Sequence, residues 1–301
     1  MSVYYTFLQT NHGIATGSKR SPELMFLNLS IKGLQLRFFC NFVSKPKLPN
    51  NMIPKVIHFC WLSNDEYPKK IAKCLKSWDK HLKDYEIRLW DFNRFPRGKS
   101  KWVDQAFDNK KYAFAADFIR AYALYHEGGI YLDSDVEVLN NFDEFLHLPY
   151  ILGQESDSGK IEAAVMGSEP GNEIFGELLK HYEDREFINS KGETDELPLP
   201  TILSDIVSRY GERRIIGSTA EFDNNDGRLN VFKSEFFSPI HIVNLKLETT
   251  ANTVAIHHFA GTWTSPQNRF KKKMQKIVGP NITTGIQKLK ALVVGRPTDS
   301  K

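Results

Sequence analysis

Apolar positions recur at two periods along this chain, and the changes between them lay out most of its elements. From Tyr112 to Glu127 the residues Phe114, Phe118, Ala121, Tyr122 and Tyr125 fall at helical spacing. They predict a helix with one apolar stripe, stopped by Gly128-Gly129. Ile130 to Leu132 follows as a short apolar run of strand type. Upstream, residues 56–61 read as a buried strand, and Pro68 precedes a helix with Ile71, Leu75, Trp78 and Leu82 on one face. Tyr85, Ile87 and Leu89 then alternate with Glu86, Arg88 and Trp90, the pattern of a half-buried strand. Strand, helix, strand at this spacing is a βαβ unit and predicts a parallel sheet. Nucleotides bind outside the carboxyl ends of such strands.

Downstream, residues 136–139 predict a strand, and Phe142 and Phe145 bury a short turn. Residues 150–153 and 163–167 read as two further strands, bracketing an acceptor side of the sheet. Asn172 caps a helix with Phe175, Leu178, Leu179 and Tyr182 on one face. Residues 184–196 are charged and loop-like, a candidate acceptor loop. Leu199-Pro200-Thr201 opens a helix carrying Ile202, Ile206 and Tyr210, and residues 231–239 form a strand and turn.

With 301 residues, 41% hydrophobic and 25% charged, the chain has the composition of a soluble globular protein, with room for one large α/β domain or two small ones. Cys40, Cys60 and Cys74 show neither disulfide-framework nor zinc spacing, which argues for a reducing compartment. The net charge of +4 hides an asymmetry: residues 1–50 carry +5, residues 266–301 carry +8, and the middle carries −9. An acidic body is a poor nucleic-acid binder, so no nucleic-acid partner is expected despite the basic ends. Those ends suit an anionic membrane surface. No run approaches the ~20 apolar residues that span a bilayer, and no signal-peptide pattern opens the chain. Pro46 and Pro49 mark a linker, so the expected domains are an extension over 1–52, a catalytic domain over 53–265 and a basic amphipathic tail over 266–301. The tail carries Ile286, Leu289 and Val293 near helical spacing. The expected location is cytoplasmic, peripheral on the inner face of the cell membrane.

The chemistry concentrates where the predicted strand 130–132 delivers Asp133 and Asp135, one residue apart. Two acids this close repel and are costly to bury, unless a divalent cation sits between them and a second anion. Asp117 and Arg120, three apart on the preceding helix, are neighbours on its surface: a local ion pair, or a carboxylate and guanidinium at the edge of a site. Trp61, at the end of the first strand, either packs in the core or stacks on a base. His257 and His258 follow an apolar strand, and in extended chain they point to opposite faces, so at most one of them faces the site; the other reading is a core or capping histidine.

The stretch Asp117-Phe118-Ile119-Arg120 through Gly128-Gly129-Ile130-Tyr131-Leu132-Asp133-Ser134-Asp135 resembles the central motif of the DXD-containing sugar transferases of family 32. That family includes bacterial capsular and exopolysaccharide transferases and fungal mannosyltransferase-like proteins. Ile57-His58-Phe59-Cys60-Trp61 resembles its opening motif. The resemblance implies a GT-A-like α/β fold, a mixed, mostly parallel sheet flanked by helices. It implies a retaining, metal-dependent transfer of a hexose from a nucleotide-diphosphate sugar, uridine preferred over guanosine, to a glycan or lipid-linked glycan. It places Trp61, Asp117, Arg120, Tyr131, Asp133, Thr262 and Trp263 at the donor, with Asp117 and Arg120 as catalytic candidates. Mn²⁺ or Mg²⁺ is expected on Asp133 and Asp135, with His258 as third ligand and His257 as the alternative. Two other readings stand beside it. A phosphohydrolase of the haloacid-dehalogenase type also ends a strand in Asp-x-Asp, but wants Thr or Val where Glu137 stands, and no later Gly-Asp-x-x-x-Asp is found. A catalytically inactive sugar-nucleotide-binding module would keep the same pocket.

Overall fold

The computed structural model describes residues 25–31, 34–40, 52–63, 65–241, 243–244 and 246–260, with 25–31 and 34–40 as backbone. The chain parts into two compact units, Met1–Asn50 and Asn51–Lys301. In the first, β1 (Met25–Ile31) and β2 (Leu34–Cys40) pair antiparallel from Met25↔Cys40 to Ile31↔Leu34. This hairpin is additional to the expected elements. The tail over 266–301 lies outside the described residues.

The second unit is built on β3 (Val56–Cys60), α1 (Lys69–His81), β4 (Glu86–Trp90), α2 (Lys101–Asp108), α3 (Tyr112–Glu127), β5 (Gly129–Leu132), β6 (Val136–Val138), β7 (Tyr150–Gln154) and β8 (Ile161–Ser168). It continues with α4 (Glu173–Glu183), α5 (Leu199–Ser208), β9 (Arg213–Ile216), β10 (Leu229–Phe232) and β11 (Ala255–His257). Seven strands form one sheet in the order β4-β3-β5-β8-β7-β10-β9. β4, β3 and β5 run parallel, as do β7, β10 and β9, while β8 lies antiparallel between β5 and β7. The expected α/β class, a mixed and mostly parallel sheet flanked by helices, is what the chain adopts.

Alternate side chains of the strands feed two cores, as the two-residue strand period requires. On one face Tyr131, Leu152, Met166 and Val231 pack with α2, α3, α4 and α5. On the other, Ile130, Leu132, Ile151, Val165 and Phe232 pack with Trp78 of α1 and with the β6 and β11 residues Val136 and Ala255. α2 and β9 are further elements beyond those expected; Ser100 caps α2 by accepting from the Val103 amide. β4 also differs from its alternation. Ile87 is exposed while Trp90 is buried, because β4 is an edge strand whose end turns inward to meet His58.

The junction of α3 and β5 sets the position of the acids that follow. Gly128 and Gly129 both take positive φ, +65° and +93°. A Cβ on Gly129 would stand 2.7 Å from the Val56 carbonyl and 3.0 Å from His58 Nε2, so only glycine lets β5 lie this close to β3. His58 is fully buried and satisfied at both nitrogens: Nε2–H donates to Gly128 O at 2.7 Å, and Nδ1 accepts from Trp90 Nε1–H at 3.0 Å. Burial lowers its pKa from 6.5 to about 4, against the pull of the Gly128 carbonyl and Glu127.

Protonating His58 would cost the bond from Trp90. The unfolded chain takes up that proton near pH 6.5 and the folded chain only near pH 4. The contribution of His58 to stability is therefore complete above pH 6.5 and lost as pH falls towards 4, by about 3 kcal/mol. A ¹⁵N-resolved titration should find His58 neutral, with its proton on Nε2, at pH 5.5. An imidazolium at that pH would contradict this packing.

Candidate metal and donor site

The parallel strands β3 and β5 end at one edge of the sheet, and the site is assembled there. Asp133 follows β5 directly, and its amide donates to the Ala164 carbonyl of β8 at 2.8 Å. The backbone turns back at once, Val136 N to Asp133 O at 3.0 Å, which sends the chain into β6 and leaves Asp135 at the turn. β6 pairs antiparallel with β11, setting Val136 opposite His257. A residue 122 positions downstream of Asp135 is thereby brought beside it.

His257, rather than His258, faces the acids. One oxygen each of Asp133 and Asp135 and one ring nitrogen of His257 lie within 4.8 Å of one another. His257 Nε2 is 3.6 Å from Asp135 Oδ1, and its Nδ1 is 3.2 Å from Glu162 Oε1. His258 sits on the other side of the strand, its Nε2 2.7 Å from Glu137, which also pairs with Lys73. The expectation of His258 as ligand is thus corrected by the β6–β11 register, which fixes the parity of the two rings. Asp135 is held by the Ala260 amide at 2.6 Å. Phe259, at φ +45°, lays its ring 3.9 Å from that of His257.

Beneath the pair lies Arg120, 5% exposed. Its Nη2 reaches Asp133 Oδ1 at 3.0 Å and Asp117 Oδ1 at 3.2 Å, and its Nη1 donates to the Ala163 carbonyl at 2.7 Å. The guanidinium lies over the Tyr131 ring at 4.6 Å. Tyr131, expected at the donor, is 1% exposed and supports Arg120 from below instead. Asp117 is likewise buried, at 6%. Trp61 is half-buried at the end of β3, with its ring edge-on to Tyr67 and its Nε1–H donated to the Asp65 carbonyl. Thr262 and Trp263 lie outside the described residues.

The electrostatics are those of an acid cluster with too little counter-charge. Burial drives Asp117 up to about 7, Arg120 opposing and Asp133 adding. Burial also raises Asp133, again against Arg120 and with the help of Asp135. For His257 burial acts downward, but Glu162 and Asp135 outweigh it and lift the ring to about 9. A divalent cation would supply the missing positive charge, and two carboxylate oxygens with one imidazole nitrogen are a donor set suited to such an ion. Glu162 lies in β8 one residue ahead of the strand predicted over 163–167. Its signal was a lone acid in an otherwise apolar strand.

Residues 68–152 match the family described as the glycosyltransferase sugar-binding region containing DXD motif. Over 133 residues the chain is 35% identical to inositol phosphoceramide mannosyltransferase 3 of Schizosaccharomyces pombe, covering 43% of this chain and 37% of that protein. Over 184 residues it is 34% identical to the mannosyl phosphorylinositol ceramide synthase SUR1 of Saccharomyces cerevisiae, covering 57% and 45%. The chain thus spans less than half the length of these curated relatives. Among solved structures it is similar to the PaToxG glycosyltransferase, with 19% identity, a TM-score of 0.41, and 53% and 70% of the two chains covered. It is also similar to a glycosyltransferase involved in glycosylation of the major capsid of PBCV-1, with 15% identity, a TM-score of 0.39, and 73% and 98% covered.

Removing the guanidinium leaves Asp117 and Asp133 buried against each other. Arg120→Met should lower the unfolding free energy by about 3–5 kcal/mol, as loss of one partner of a buried ion pair does. Denaturant unfolding of the metal-free protein measures this; unchanged stability would show that Arg120 does not carry the acids.

Proposed function

We propose that this chain, which carries the DXD region of the family-32 sugar transferases, moves a hexose from a nucleotide-diphosphate sugar to a hydroxyl of a lipid-linked acceptor, with retention of configuration. The observation that carries the reading is the convergence of Asp133, Asp135 and His257 at the carboxyl edge of the sheet, over the buried Arg120. The names of the curated relatives, which act with mannose on inositol phosphoceramide, support mannose as the hexose and a phosphorylated polyol headgroup as the acceptor.

A divalent cation bound there supplies Lewis-acid stabilisation of the charge that develops on the departing diphosphate. The residues of the chain do the rest. Arg120 fixes the Asp133 carboxylate from below, and the Ala260 amide fixes Asp135 from the side. Held this way, the acids need no rearrangement when donor arrives, which is the physical content of preorganisation. Trp61, at the same edge, offers an aromatic face to the base beside Tyr67. Asp117 and Arg120, buried beneath the pair, act on the donor through Asp133, whose carboxylate Arg120 holds in place. The bond from the anomeric carbon to the diphosphate oxygen breaks, and the acceptor oxygen bonds the same face of that carbon. The acceptor proton passes to the released diphosphate, so no protein base is required. The acidic body keeps the site away from nucleic acid, and the basic tail over 266–301 suits a membrane bearing the acceptor. Among the described residues no helix is long and apolar enough to cross a membrane.

The test is nucleotide release from UDP-glucose, UDP-galactose, UDP-N-acetylhexosamines and GDP-mannose with Mn²⁺, repeated with chelator and with Asp135→Ala. Release of one nucleotide, lost in both controls, is expected, and it names the donor. Absence of release and of metal-dependent nucleotide binding across the panel would leave an inactive binding module, and phosphate release from simple phosphomonoesters would leave a hydrolase.

A further inference from the structure

β8 is irregular where it passes the site. Leu152 of β7 faces Met166, but the next residue, Gly153, faces Glu162. Ala163, Ala164 and Val165 are passed over by β7 while Val165 stays paired with Leu132 of β5. Bulges of this kind re-aim a side chain. The Ala163 carbonyl is thereby free to accept from Arg120, and the Ala164 amide donates to Glu162 Oε1 at 2.8 Å, curling the Glu162 carboxylate over its own bulge. Glu162 is 1% exposed and has no route to a substrate. It faces His257, whose Nδ1 is 3.2 Å from Oε1 and 3.3 Å from Oε2, while Nε2 on the far side of the ring faces Asp135.

Resting on the metal-site reading above, we infer that Glu162 is a positioning residue of the metal centre. Its carboxylate accepts the Nδ1–H of His257 and fixes that tautomer, so that once the ion displaces the Nε2 proton the Nε2 lone pair is directed at the ion held with Asp133 and Asp135. A carboxylate behind a ligating imidazole orients the ring and raises its basicity towards the metal, and losing it costs about 10–100-fold in metal affinity. The bulge explains why such a costly buried charge is tolerated. The Ala164 amide and the His257 N–H are both donors to it.

Mn²⁺ alone, titrated into the full chain and followed by electron paramagnetic resonance, tests this. Glu162→Gln keeps the size and one acceptor but loses the charge, and should weaken Mn²⁺ binding about tenfold. Glu162→Ala should weaken it further. Thermal unfolding of the metal-free variants separates this from damage to the fold, and Glu162→Gln decides alone if Glu162→Ala does not fold. Asp135→Ala separates the two readings. If Asp135→Ala loses Mn²⁺ while folded Glu162→Gln binds as the parent does, the role of Glu162 is overturned and the metal site stands. If the parent binds no Mn²⁺, or Asp135→Ala binds it unchanged, the metal reading falls and this inference with it.

Discussion

A single buried cation holds the site together. The Arg120 guanidinium stands between Asp117 of its own helix and Asp133 at the end of β5, and donates to the Ala163 carbonyl of β8. Ions taken out of water cost several kcal/mol each, and only close opposite charges with well-placed hydrogen bonds offset that. Arg120 meets this condition at both Nη atoms, while its buried Nε has no hydrogen-bond partner among the described residues. The acids neutralise it, the bulge in β8 presents a carbonyl, and Tyr131 lies beneath its plane. Arg120 thus couples α3, β5 and β8 at one point and sets the position of Asp133.

Around that point, chain order and spatial order diverge. β8 runs against its neighbours, which brings Glu162 and the Ala163 and Ala164 carbonyls to the edge where β3 and β5 end. The β6–β11 ribbon then carries His257 back across from far downstream. The donor set is assembled from two distant segments, 133–135 and 257, with Glu162 of a third behind it, and the ordering of its parts follows from sheet register rather than from the flexibility of a loop. The Gly128-Gly129 turn is the other fixed point, since only its positive φ values let β5 pack against Val56 and His58.

Much of this was legible in the chain. The stripe from Phe114 to Tyr125 with its terminal glycines marked α3 to the residue, because helical period and stop signal agree there. Asp133 and Asp135 stood out because two acids follow an apolar strand. The ion pair of Asp117 and Arg120 was visible in their spacing, but its extension to Asp133 was not, since that contact depends on how α3 packs on β5. The choice between His257 and His258 could not be made from the strand alone. Alternation says that they oppose, but the partner register of Val136 decides which ring points to the acids. Tyr131 was misread for a related reason: it alternates with Leu132, so it faces the helices rather than the open edge. α2 lacks the long periodic run that makes helices easy to read, and its eight residues rest on the Ser100 cap and on Trp102 packing against Tyr182 and Phe187.

The central claim is that Asp133, Asp135 and His257 hold one divalent cation. Pulsed electron paramagnetic resonance of the Mn²⁺-loaded chain reads it directly, through the ¹⁴N coupling of a coordinated imidazole. The account predicts that coupling in the parent and in His258→Ala, and its disappearance in His257→Ala. A coupling that survives in His257→Ala, or is absent from the parent with Mn²⁺ bound, would contradict it.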